Sequence, residues 1–419
     1  MFPRFTLNLR IGFFLATRQI RRTSPWTTVL IISVMVLTFL NLVVVSGMLV
    51  GLVQGIGNAT RKEYTSDIII STLDNKKYIE ESANITSLLG TIPEIDSLSR
   101  RYVEGAILEA NYASRKENEK PNTANVQIFG IDPADEDAVT GLAAHIIDGS
   151  YLSSGDYDQI ILGNHLLTQY ILIEDPNLAT LDNVGVGTKI RISVANTVRE
   201  VTIKGIMESK VDLRSRNAFM IDTQFRNMIG RNDRNVDAIA VLLKKGADPV
   251  AVRDKLIRDG VTAFAKVQTY DDAQPKFVKD VVKTFNILGT VFGSIGIVVS
   301  SITIFIVIFI NAITRRKFIG ILKAIGIRGQ AIEISYIFQS IFYAVIGSSL
   351  GLVLVYSSLV PFFLSHPIDF PFSDGILVAP PKETFIRMGL LVLSTVVAGF
   401  IPARMIVRKN TLNSILGRN

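Results

Sequence analysis

Three stretches of this chain, Thr27 to Val53, Thr284 to Thr314 and Ile334 to Ile368, contain no Asp, Glu, Lys or Arg. About 20 apolar residues cross the hydrocarbon of a bilayer. In lipid each backbone amide must find its partner inside its own segment, so each stretch reads as a membrane-spanning helix. With 48% apolar residues and a mean hydropathy of +0.36, the 419 residues are too oily for a set of soluble domains. A cytosolic enzyme and a wholly extracellular domain are both excluded. The first stretch is longer than a secretory signal core and follows an arginine-bearing segment, so it is expected to be retained. A fourth span is expected at 384–404, where Arg387 interrupts the apolar run and must reach a headgroup.

Charge sets the orientation. Residues 1–26 carry Arg4, Arg10, Arg18, Arg21 and Arg22; 313–330 carry Arg315, Arg316, Lys317, Lys323 and Arg328; 404–419 carry Arg404, Arg408, Lys409 and Arg418. None of the three segments has an acidic residue, and the remainder of the chain is net negative. By the positive-inside rule both termini and the 313–330 loop are cytoplasmic, which requires an even number of spans. Because the basic residues sit beside spans, they signal topology and no nucleic-acid partner is expected. The expected layout is a cytoplasmic amphipathic segment at 1–26 and spans at 27–53, 286–312, 332–360 and 384–404. An extracytoplasmic domain with helical stalks fills 54–285, a coupling segment 313–331, an outer loop 361–383 and a cytoplasmic tail 405–419. The fold class is a membrane protein of four transmembrane α-helices with a large α+β extracytoplasmic domain inserted between helices 1 and 2.

The outer segment is patterned rather than a linker. Asp67 to Ser71, Asn125 to Ile131, Gln159 to Gly163 and Ala238 to Leu243 are short strand-like runs. Lys189 to Val194 and Arg199 to Ile206 alternate with period two and predict a hairpin turning across Ala195 to Val198. Asp248 and Pro249 suit the start of a helix running to about Arg258, giving strand, helix, strand over 236–268. Two lobes are expected. Gln54 to Tyr64 and Tyr270 to Lys283 carry helical spacing and are read as stalks continuous with spans 1 and 2.

The chemistry expected of an enzyme is missing. There is no cysteine nucleophile or thiolate ligand, no Gly-x4-Gly-Lys-Ser/Thr phosphate loop, and His145, His165 and His366 stand apart from one another and from any metal-binding spacing. Gly-Asn-His at 163–165 has no serine placed as a nucleophile, and Asp271, Asp272 and the acidic group at 132–137 read as solvated faces. The spans lack charged residues except near their ends, which argues against an ion-coupled carrier. Gly47, Gly51 and Gly55, Gly289 and Gly293, and Gly347 and Gly351 recur at four-residue spacing, which suits close helix packing within the chain or between copies.

The cytoplasmic loop reads Thr314-Arg-Arg-Lys-Phe-Ile-Gly-Ile-Leu-Lys-Ala-Ile-Gly, the following span contains Phe338-Gln-Ser, and the tail reads Ala398-Gly-Phe-Ile-Pro-Ala-Arg. The outer segment adds Ile128-Phe-Gly-Ile-Asp-Pro, Asp148-Gly-Ser-Tyr-Leu and Gln159-Ile-Ile-Leu-Gly-Asn. Together these resemble the FtsX-like permease domain of the ABC transporters that include lipoprotein-releasing permeases and macrolide exporters. The resemblance implies an ATPase-coupling helix carried by Arg315, Arg316, Phe318, Ile319, Gly320, Leu322, Lys323, Ala324 and Gly326. It also assigns Gln339, Gly347 and Gly351 to span 3, and Pro402, Ala403 and Arg404 to the cytoplasmic end of span 4. It implies no cofactor in this chain, with ATP and Mg bound by a partner ATPase. A second permease copy or paralogue, membrane lipid, and a periplasmic chaperone or adaptor are the other implied partners.

Two departures stand out. Phe318 occupies a position that is commonly acidic in the family, so an apolar contact replaces a polar one. Ile171 to Asp182 reads as a lengthened loop. The coupling segment is expected to be amphipathic, with Phe318, Ile319, Leu322 and Ile325 on one side. The expected function is ATP-driven release or export of a hydrophobic or lipidated substrate from the outer face, by mechanotransmission. The alternatives are efflux with a periplasmic adaptor and activation of a cell-wall hydrolase.

Overall fold

The computed structural model describes residues 2–116, 119–171, 179–274, 276–370 and 373–408. The Ile171 to Asp182 loop lies for the most part outside them. The chain divides into two compact units, one of residues 1–53, 280–369 and 374–419, the other of residues 54–279 and 370–373.

Among the described residues, four helices are long and apolar enough to cross a membrane, Pro25–Thr65, Val278–Thr314, Gly329–Ser365 and Pro381–Met405, and most of their residues fall in the first unit. We number them spans 1 to 4. A separate helix, Phe2–Arg22, precedes span 1. Span 3 changes to a π-turn at Val355–Leu359 before continuing to Ser365. Arg387 of span 4 is met one turn earlier by Glu383 at 3.8 Å. Gly51, Gly347 and Gly351 are in close packing within this chain. A Cβ on Gly347 would lie 2.3 Å from Met35 Cβ, one on Gly351 2.5 Å from Phe39, and one on Gly51 1.8 Å from the Ile376 carbonyl oxygen. Met35 and Phe39 are fully buried there. Gly289 and Gly293 have ordinary clearance, 3.6 and 3.5 Å from leucine methyls of span 1.

The second unit is built on ten strands: β1 Ile68–Ser71, β2 Ile95–Glu109, β3 Thr123–Ile131, β4 Ile146–Gly149, β5 Gln159–Gly163, β6 Lys189–Val194, β7 Thr197–Met207, β8 Asn217–Ile221, β9 Ala238–Leu243 and β10 Lys266–Thr269. Their order is β10-β1-β9-β2-β3-β8-β5-β7-β4, with β6 joining β2 to β7. The pairings β2–β3, β3–β8, β8–β5, β5–β7, β7–β6 and β6–β2 close a six-stranded ring. Alternate residues of these strands, including Leu108, Ile128, Leu162, Ile192, Ile203 and Met220, are buried in one core, as period-two side-chain placement requires. The two expected lobes therefore share the long strand β2 and form one unit. Val194 pairs with Thr197, so the hairpin turns on Ala195 and Asn196, with Ala195 at φ 49°. The Asp248 side chain accepts from the Val250 amide and starts Pro249–Arg258.

A buried ion cluster ties the end of the first stalk into this unit. Glu136 accepts from Arg101 Nε at 2.9 Å, Arg101 Nη2 at 2.8 Å and Ser99 Oγ at 2.7 Å. Arg101 Nη1 donates to the Tyr64 carbonyl at 2.7 Å, and Ser209 Oγ donates to Glu63 at 2.6 Å. Arg214, also fully buried, donates to Thr140 Oγ1 at 3.0 Å and lies over the Phe219 ring. Burial alone would push the Glu136 carboxyl up, but Arg101 and Arg214 and the bonds it accepts hold it below the usual range.

The two chain segments that enter and leave the unit run side by side. Stalk 1 ends in a π-turn, Arg61–Thr65, and Ser66 (φ 58°, ψ −156°) turns the chain into β1. Arg61 Nε donates to Asp67 at 2.6 Å while its guanidinium covers the Tyr270 ring at 5.1 Å. The second stalk differs from expectation. Thr269 and Asp272 form a capping box for the short helix Tyr270–Ala273, Gln274 is extended (ψ 129°), and the span 2 helix begins at Lys276. Gln274 precedes a proline, which disfavours the helical region for it, so Tyr270 is not continuous with span 2.

Two outcomes follow. Because the folded carboxyl of Glu136 is held below its unfolded value, its contribution is full above about pH 4.3 and is lost as pH falls through the depressed value. Glu136→Gln, which strands two buried guanidinium groups, should cost about 3–5 kcal/mol and flatten that acid dependence in thermal unfolding monitored by circular dichroism. In the membrane unit, Gly347→Leu should cost about 1–3 kcal/mol by overpacking, while Gly289→Ala should be near neutral in detergent melts.

Candidate coupling site

The residues named from the cytoplasmic loop form a compact corner. Span 2 stops at Thr314, Arg315 breaks the helix (φ −99°, ψ 14°), and a second helix runs over Arg316–Ala324. Its end is closed by glycine. Gly326, at φ +92°, donates its amide to the Lys323 carbonyl at 3.1 Å, and Ile327 donates to Leu322 at 3.0 Å. This pair of bonds is a Schellman motif, and Leu322 and Ile327 pack in the same cluster, as that motif favours. Arg328 is extended and span 3 begins at Gly329.

The helix is anchored on one stripe and bare on another. Ile319 and Leu322 are buried with Ile332, Ala403 and Val407, so the coupling loop and the Pro-Ala-Arg end of span 4 meet. Gly320 and Pro402 are buried as well. Lys323 Nζ donates to the Val407 carbonyl at 3.0 Å, a cation at the C-terminal end of span 4 where the helix dipole favours it. Arg315 donates to Thr23 Oγ1 at 3.1 Å. Phe318, Ile321 and Ile325 are 46%, 52% and 71% exposed, and Ala324 and Gly326 are exposed too. The apolar side expected of Phe318, Ile319, Leu322 and Ile325 is thus split. Positions 319 and 322 face the bundle, while 318, 321 and 325, spaced i, i+3 and i+7, form a separate outward ridge. Arg404 is exposed, with its guanidinium 5.5 Å from the Phe400 ring. Arg316 is the first residue of the helix.

Several participants were not singled out in the sequence. Asn8 and Gln19 belong to the helix Phe2–Arg22, which lies along the start of span 3, and Thr23 follows its last residue. Asn8 bonds Gln330 at 3.2 Å and Gln339 Nε2 donates to Gln19 at 2.5 Å. Their signal is the spacing of Asn8, Gly12, Leu15, Ala16 and Gln19 on one helical face. Among the described residues, no group of three His, Asp or Glu could hold a metal. His165 instead pairs with Asp212 at 2.7 Å, and that bond holds the Asp212 carboxyl down at about 2.

Residues 29–259, more than half of the chain, match the MacB-like periplasmic core domain family, and residues 290–411 match the FtsX-like permease C-terminal family. The chain belongs to the FtsX-like permeases of ABC transporters. It is 24% identical to the macrolide export ATP-binding/permease protein MacB of Campylobacter fetus subsp. fetus over 189 residues, 44% of this chain and 28% of that protein. It is 23% identical to an uncharacterized ABC transporter permease of Methanocaldococcus jannaschii over 227 residues, 52% of this chain and 55% of that one. The matches thus span about a quarter and about half of those relatives. The solved periplasmic region of MacB from Actinobacillus actinomycetemcomitans is similar at 15% identity and a TM-score of 0.36, over 54% of this chain and 95% of that chain. The permease is a multi-pass membrane protein carrying an extracytoplasmic α+β domain.

Because nothing lies within 4 Å of a Cβ added at Gly326, substitution there is strained by backbone conformation alone. Gly326→Val should cost about 1–2 kcal/mol and raise protease cleavage at 324–328 in detergent-solubilised permease, whereas Ala324→Val should leave that cleavage unchanged.

Proposed function

We propose that this permease is the lever through which a separate cytoplasmic ATPase drives release or export of a hydrophobic or lipidated substrate at the outer face of the membrane. The observation that carries the reading is the ridge of Phe318, Ile321 and Ile325. Three large apolar side chains stand exposed on a helix whose other stripe is fixed in the bundle, and an exposed cluster of that kind is a docking surface for another protein. Phe318 suits an apolar pocket on the ATPase, which binds ATP and Mg in this scheme. The basic residues on both sides of the ridge support a cytoplasmic side for it and for both termini.

The permease works as a pair, either two copies or this chain and a paralogue, so that closure of two ATPase subunits pushes two such helices together. Displacement of Arg316–Ala324 reaches span 4 through Lys323 and the N-terminal helix through Arg315. Span 1, which runs as one helix past the boundary between units, carries it outward. Release of a lipidated cargo, with a periplasmic chaperone to receive it, is the first reading. Export of a macrolide-like molecule through a periplasmic adaptor is the second, and the similarity to the macrolide export protein of Campylobacter supports the export part of it. The substrate in either case is moved on the outer side rather than through the bilayer.

The test is to reconstitute the permease with its ATPase and measure ATP turnover. Ile321→Asp with Ile325→Asp should lower co-purification of the ATPase and its substrate-stimulated turnover about tenfold or more, since burying a charge at an apolar contact removes a hot spot. Insertion and melting of the permease should be unchanged. Wild-type stimulation in that variant would refute the coupling role of the ridge.

A further inference from the structure

We propose that the outward face of the helix Phe2–Arg22 is a docking surface for anionic phospholipid headgroups. The inward face is settled. Asn8, Leu15, Ala16 and Gln19 are buried, and a Cβ on Gly12 would lie 2.5 Å from Ile334 of span 3. The opposite face carries Leu7 and Phe14, 57% and 58% exposed, and at its edge stands Phe13, 57% exposed with its ring 5.5 Å from that of Phe338 in span 3. Arg10, Arg18, Arg21 and Arg22 are exposed as well. At 100° per residue, Arg10 and Arg21 fall between Phe13 on one flank and Phe14 and Leu7 on the other, with Arg18 beyond.

Rings and guanidinium groups interleaved on one helical face suit a single environment. The rings enter the boundary of the acyl chains and the guanidinium groups fork onto phosphates at the same depth. Trp26, the one tryptophan of the chain, is 84% exposed at the start of span 1, as expected of an aromatic anchor at a headgroup layer. Charge complementarity selects the lipid: residues 1–26 and 313–330 contain no acidic side chain, so the surface attracts anionic headgroups over zwitterionic ones. The inference rests on the four helices being membrane spans and is independent of the ATPase coupling proposed above.

Trp26 is a built-in reporter. Phosphatidylglycerol, or phosphatidylcholine as the control, is titrated into the full-length permease in a non-ionic detergent while Trp26 emission is followed. Phosphatidylglycerol should give a saturable change that weakens with added salt. In the triple variant Arg10→Gln, Arg18→Gln, Arg21→Gln, its midpoint should move to about a hundredfold higher lipid, about fivefold per arginine removed. The variant Arg10→Lys, Arg18→Lys, Arg21→Lys keeps the charge and should stay within about threefold of wild type. Equal midpoints for the two lipids, a wild-type midpoint in the glutamine variant, or a lysine variant that melts normally yet has lost binding would each overturn the proposal. So would an emission change produced by purified ATPase and not by lipid. None of these outcomes reads ATP turnover, so failure here leaves the coupling reading to its own test.

Discussion

Everything the outer domain can do is constrained by how it is held. Its chain enters through Arg61–Thr65 and leaves through Tyr270–Ala273, next to the paired strands β1 and β10. Arg61 closes that junction by binding the nearly buried Asp67 carboxylate with its edge and the Tyr270 ring with its face, and Asp67 in turn accepts the Leu243 amide at 2.8 Å. Behind the junction, Tyr64 is fixed by Arg101 and by edge contact with Phe129. A force applied to the first stalk therefore arrives at β2, the strand shared by both parts of the sheet network. Charge carries out this task because a buried guanidinium and carboxylate have one low-energy arrangement and a high cost for any other.

The cytoplasmic corner obeys the same logic with different chemistry. Ile319 and Leu322 hold the short helix by apolar contact, Gly326 ends it, and Lys323 and Arg315 reach two neighbouring helices. Phe318, Ile321 and Ile325 are left exposed among basic residues, which is unfavourable for large apolar side chains in water and explicable where a partner covers them.

Much of this was legible in the sequence, for physical reasons. The charge-free runs can only be helices in lipid, and β3, β5 and β9 appeared as short β-branched runs between turn signals. The turn at Ala195 and the cap at Asp248 were readable because turn and cap chemistry is local. Less legible were features that depend on distant partners. The charge spacing of the second stalk predicts a continuous helix, yet the capping box at Thr269 and the proline after Gln274 break it. The segment 315–326 is legible as one group, but which of Phe318, Ile319, Ile321 and Leu322 face inward depends on span 4 and the N-terminal helix. The Arg101–Glu136–Arg214 cluster joins residues 35 or more positions apart and leaves no trace in local pattern.

The central claim is that the Phe318–Ile321–Ile325 ridge and the outer domain lie on opposite sides of one membrane. A chain with no cysteine allows a direct measurement: single substitutions Ile325→Cys, on the ridge, and Asn196→Cys, at the exposed β6–β7 turn, are labelled with a membrane-impermeant maleimide on intact spheroplasts. The account predicts that position 196 labels at once and position 325 labels only after permeabilisation. Equal labelling of both positions from one side would contradict it.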